Sequence, residues 1–127
     1  MSDDEYKDIK DRLEKVLTKW HPLLQMGWYT LNYEYRRNPH EEDPEIAAVT
    51  NTAWTYRRAR ITWYMPTLHG LTHDELENIV LHEFCHVILA PVTQDQPPEW
   101  KEQIEYTTET MAVILMNVHR GNKNAVV

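Results

Sequence analysis

The chain has 127 residues with 13 Lys+Arg against 20 Asp+Glu, a formal net charge of −7. That length predicts one compact domain over residues 1–127, and the acidic balance argues against nucleic acid or an anionic membrane surface as a partner. Apolar residues make up 42% of the chain, with five Trp and seven Tyr, which is too much for a disordered segment. The lone Cys85 excludes an internal disulfide and a Cys-rich metal site. No run approaches the roughly 18 apolar residues of a membrane span, and the acidic start lacks the apolar centre of a secretory signal, so a soluble, cytoplasmic protein is expected.

In chain order, Ile9, Leu13, Val16, Leu17 and Trp20 form one stripe of an amphipathic helix that Pro22 helps to stop. From Gly27 to about Arg37 the aromatic and β-branched residues predict a strand, followed by a polar loop over 38–45 that contains two prolines. Two more strands are expected over Ile46–Thr52 and Arg60–Met65, with Arg57, Arg58 and Arg60 at a solvated hairpin end, a partner patch being the alternative. Thr72-His-Asp-Glu75 is a capping-box pattern opening a helix that should run to Ala90 and close at Pro91. A last helix is expected from about Glu99 to His119, with Gly121 beyond its end. The expected fold class is α+β, with a small, mostly antiparallel sheet of about three strands.

His82-Glu83-Phe84-Cys85-His86 is a HExxH sequence within the first of those two helices. Side chains four apart on a helix lie on one face about 5–6 Å apart, so the two imidazoles can share one Zn²⁺. Glu83 can then act on water as a base without itself being a ligand. On the wheel Val80, Leu81, Phe84, Val87 and Ile88 gather on one side and the histidines lie opposite. Cys85 reads as a small packing residue.

A catalytic zinc needs a third protein ligand and an open position. The last helix offers Glu102, Glu105 and Glu109. Its apolar stripe is expected to be Trp100, Ile104, Thr107, Met111, Leu115 and Val118, which puts Glu105 nearest the buried side and turns Glu102 and Glu109 further toward solvent. His119 lies 14 residues beyond Glu105, about 21 Å along a continuous helix, so both cannot bind one ion. It reads as a helix C-terminal cation. His69 and His73 read as surface or capping residues.

HEFCHVILAP followed by EYTTETMAVIL resembles the small gluzincin-type zinc metallopeptidases, particularly the minimal ones of phage and microbial genomes. The resemblance spans roughly Trp28 to Val118. It implies a zincin-like fold and one catalytic Zn²⁺ held by His82, His86 and Glu105. It further implies Glu83 as the base in hydrolysis of a peptide or protein substrate. From the acidic charge and the lack of an apolar span no nucleic acid or membrane partner is expected, and a monomer is expected. The resemblance places the strand Arg60–Met65 at the rim of the cleft, where a peptide could pair with its edge. In larger gluzincins an acidic residue four after the ligand Glu supports a zinc-bound His, and Glu109 stands there; a surface role is the alternative. Their transition-state-stabilising His or Tyr comes from a subdomain for which this chain has no room, leaving Tyr64 and Tyr106 as candidates. Two further readings are a non-catalytic zincin-like binding or assembly protein and an ImmA-like regulatory peptidase specific for one protein partner.

Overall fold

The computed structural model describes residues 1–121. Helix α1 (Asp3–Leu23) leads through a 3₁₀ turn to strand β1 (Thr30–Arg36), followed by β2 (Ala48–Ala53) and β3 (Arg58–Tyr64). A short helix α2 (Met65–His69) then precedes the long helices α3 (His73–Thr93) and α4 (Lys101–His119). The α+β class is as the sequence implies.

The sheet departs from expectation. Its order is β1-β3-β2, with β1 parallel to β3 and β2 antiparallel to it, so it is mixed rather than mostly antiparallel. The reason lies in the connections. The long link between β1 and β2 passes over the end of the sheet and sets β2 on the far side of β3, whereas β2 and β3 are joined directly through the tight turn at Trp54–Tyr56. Strand β3 is therefore central and both its edges are hydrogen-bonded, so the edge expected there to receive a peptide is already filled. Strand β2 has one partner and one free edge.

Alternation along β3 sorts the faces. Ala59, Ile61 and Trp63 are buried beneath α1 and α3, whereas Arg58 and Arg60 point to the opposite face and are exposed. The core joins these residues to Ile9, Leu13, Val16, Leu17 and Trp20 of α1 and to Leu76, Val80, Leu81, Phe84 and Val87 of α3. Both prolines expected to end helices lie inside them: α1 runs through Pro22 to Leu23 and α3 through Pro91 to Thr93. Each forfeits the bond to the carbonyl four residues earlier, but only one or two helical residues follow it, so little helix is left to kink. Near the end of α3 the side chains of Thr93 and Gln96 donate to the carbonyls of Leu89 and Val92.

Helix α4 is rotated from the expected wheel. Thr108 and Ala112 are its fully buried positions, whereas Trp100 and Val118 are 51% and 71% exposed. Ile88 of α3, expected in the core, is also largely exposed. Small side chains at 108 and 112 permit close approach of α4 to α3, and this selects the contact line over one drawn through the larger residues. At about 100° per residue, Glu105 falls within about 20° of Ala112 and Glu109 within about 60°, so both acids flank the helix–helix contact. Gly121, at φ 63°, takes the left-handed conformation that follows the helix end, as expected.

Candidate metal centre

Helix α3 supplies the first part of the site. Thr72 caps it by accepting from the Glu75 backbone at 3.2 Å while Glu75 accepts from the Thr72 backbone at 3.0 Å, so the helix starts where the sequence directs. A buried apolar stripe of Leu76, Val80, Leu81, Phe84 and Val87 then fixes its rotation. His82 and His86 emerge on the side facing α4, half-buried, with their rings 4.7 Å apart.

His82, His86 and Glu105 converge as the sequence analysis expected. His82 Nε2 and His86 Nε2 are 3.1 Å apart, and Glu105 reaches His82 Nε2 with Oε2 at 3.2 Å and His86 Nε2 with Oε1 at 3.2 Å. A tetrahedral ion with ligands at about 2.0–2.1 Å separates its donors by about 3.3 Å, so these spacings fit the edges of a zinc-sized site. The donor set, two imidazoles and one carboxylate, is one that zinc accepts. Burial holds His86 below the ordinary imidazole range, against the opposing pull of Glu105, and keeps the ring in the neutral form that a metal needs. His69 and His73 lie elsewhere, beside Glu5 and Asp8 and beside Glu77. His119, in the last turn of α4, packs edge-on against Trp20 at 4.8 Å.

Glu109 does not turn to solvent as the wheel suggested; it stands behind a candidate ligand histidine, the place the resemblance implied. Its Oε2 accepts from His82 Nδ1 at 2.7 Å, and its Oε1 accepts from Asn78 Nδ2 at 2.8 Å. Protonation of Nδ1 against a carboxylate leaves the Nε2 lone pair directed at Glu105 and His86. Asn78, His82 and His86 thus form one row on α3, each four residues from the next. Sequence reasoning missed Asn78, although its spacing from His82 placed it on the ligand face.

Glu83 is 6% exposed and accepts from Thr50 Oγ1 of β2 at 2.8 Å. Burial pushes its carboxyl up to about 7; the Thr50 hydrogen bond and His82 oppose that rise and Glu105 adds to it. A group poised near neutrality can both take and return a proton. No local sequence signal identifies Thr50, because its contact with Glu83 is made across the fold.

The remaining candidates separate from the site. Cys85 is buried in the core and is not among the clustered donors; burial, with Glu109 adding to it, raises its thiol to about 12. Tyr64 stands on the outer face at the end of β3, packed against His40 at 5.1 Å, and Tyr106 is exposed on α4. Neither makes a contact with the His82–His86–Glu105 cluster, which is the one group of potential metal ligands found among the described residues. Among those residues no helix is long and apolar enough to cross a membrane.

In comparisons with known proteins, no family model, no curated protein and no solved structure matches this chain.

Proposed function

We propose that this chain is a zinc-dependent peptidase in which His82, His86 and Glu105 hold one Zn²⁺ and Glu83 serves as general base and then general acid. The observation that carries the reading is the meeting of a three-donor cluster with zinc-sized spacing and a buried carboxylate one residue away that titrates near neutrality. The resemblance of HEFCH to the gluzincin motif points the same way.

Bound zinc would supply a Lewis acid for a peptide carbonyl and lower the pKa of water toward neutrality. The chain's own residues supply the rest. Glu83, held by Thr50, accepts a proton from the attacking water at its carboxylate and returns it to the leaving amine. Glu109 and Asn78 fix the His82 ring, so the site is ordered before substrate arrives. Helix α3 forms the floor between β2 and α4, and the free edge of β2 offers backbone groups to an extended peptide. The rim role that the resemblance implied for the third strand thus passes to β2.

The test is metal content and hydrolysis of an unfolded protein such as casein, measured together. Wild type should carry about one zinc per chain and cleave; Glu83→Gln should keep the zinc and lose cleavage. Zinc in wild type with no hydrolysis of any peptide would replace this reading with a zinc-binding assembly protein, and cleavage confined to a single protein would point to a regulatory peptidase.

A further inference from the structure

The face of the sheet opposite α1 and α3 is covered by no helix among the described residues, and it carries the exposed Arg58 and Arg60 on a chain of net charge −7. Three of its cross-strand partners stand in one row: Asn32 of β1, Arg60 of β3 and Asn51 of β2. Together with Arg58 they line a depression of about 450 Å³. Arg57 stands beside them in the turn before β3, its guanidinium 4.5 Å from the exposed ring of Trp28. Other arginines near the sheet are neutralised, Arg36 by Glu34 and Arg37 by Asp3. Among the described residues no carboxylate lies within ion-pair distance of Arg57, Arg58 or Arg60.

We propose that this open sheet face docks a short, extended, acidic segment of a protein partner, its carboxylates seated on Arg58 and Arg60. The spacing supports it. Arg58 and Arg60 are two residues apart on one strand, about 6.6 Å, which is also the repeat of same-side carboxylates at alternate positions of an extended peptide. Guanidinium groups bind carboxylates through paired hydrogen bonds, and Asn32 and Asn51 flank Arg60 with amides able to meet the peptide backbone.

The length of the patch selects a bounded segment over a polymer. Strand β3 spans about 23 Å. At its Tyr64 end the run of unpaired arginines stops: Arg36 and Arg37 are paired with Glu34 and Asp3, and Glu41 and Glu42 line a second depression of about 600 Å³. A long polyanion running past the arginines would meet those carboxylates within an already acidic chain, whereas a segment of a few acidic residues ends before them. This face lies across the sheet from His82 and Glu83, so the inference stands apart from the hydrolytic reading.

The probe is a fluorescein-labelled nonapeptide with glutamate at alternate positions, its binding to the full chain followed by fluorescence anisotropy and its integrity checked by mass spectrometry. Binding is expected to weaken at least tenfold in the Arg58→Glu/Arg60→Glu variant and to survive in part in Arg58→Lys/Arg60→Lys. It should also fall as ionic strength rises from about 0.05 to about 0.3 M, and be unchanged by added chelator. Equal binding of the peptide with Gln in place of Glu, or unchanged binding in a charge-reversed variant that keeps the wild-type circular dichroism, would overturn the proposal. So would tighter binding of a labelled oligothymidylate that is lost on the same charge reversal, since it would assign the face to nucleic acid. Should the reversed variant misfold, the Glu and Gln peptides compared on wild type decide the matter.

Discussion

Glu109 Oε2 lies 2.7 Å from His82 Nδ1, and this contact sets the direction in which His82 presents its other nitrogen. The carboxylate is held in turn by Asn78 at 2.8 Å. A ligand oriented from behind needs no rearrangement on binding an ion, so Glu109→Ala should weaken zinc binding by about 10–100-fold without removing a ligand. Glu105→Ala should weaken it further. Competition against a chromophoric chelator measures both, and equal affinity of Glu109→Ala and wild type would show the contact to be incidental.

Removal of the metal should destabilise the chain, because three donors from two helices hold the ion only when α3 and α4 are packed together. With zinc at 100–1,000 times its dissociation constant, binding adds about 2.7–4.1 kcal/mol. For a domain of this size that corresponds to a Tm about 10 °C higher with zinc than after chelation. Calorimetry with and without chelator checks it; a Tm indifferent to zinc would argue against a site formed by both helices.

The buried carboxyl of Glu83 makes the metal-free protein sensitive to pH. Its pKa in the fold, about 7, lies above the ordinary value of 4.5, so the native state favours the protonated form. That contribution is complete below about pH 4.5 and is lost as pH rises through about 7. In the chelated protein, Glu83→Gln should therefore gain on wild type between pH 5 and pH 8, by an amount on the order of 3 kcal/mol. Urea unfolding at the two pH values gives the difference, and a constant offset would contradict it.

Glu77 is 1% exposed and ties three helices together, accepting from Lys19 of α1 at 3.0 Å and from Arg120, just beyond α4, at 3.3 Å. Burial alone would raise its pKa; Lys19 and Arg120 more than offset this and hold it below the ordinary carboxylate range. Its contribution is thus present above about pH 4.5 and lost as pH falls through the folded value. Glu77→Gln should cost about 1–3 kcal/mol at pH 7 and less at pH 3, by urea unfolding.

Ala112 is fully buried where α4 meets α3. Ala112→Leu should cost about 1–3 kcal/mol by overpacking. By moving α4 outward it should also carry Glu105 and Glu109 away from the histidines. Zinc affinity should therefore fall with stability, whereas Val118→Leu, at an exposed position of the same helix, should change neither.

The features legible in the chain alone are local. The capping box at Thr72, the i, i+4 spacing of His82 and His86, and the apolar periodicity of α1 and α3 are written within a few turns of chain, where helical geometry links spacing directly to direction. Glu105 was also legible, although the stripe used to choose it ran through Trp100 and Val118, which the fold leaves exposed. The tertiary structure alone decided the rest. Strand order depends on which way a long connection crosses the sheet, and no residue in 37–47 encodes that alone. The rotation of α4 depends on how closely two helices approach, which Thr108 and Ala112 permit only because α3 faces them. The hydrogen bond from Thr50 to Glu83 joins residues 33 positions apart, and a contact of that range exists only once the core has fixed the elements that make it.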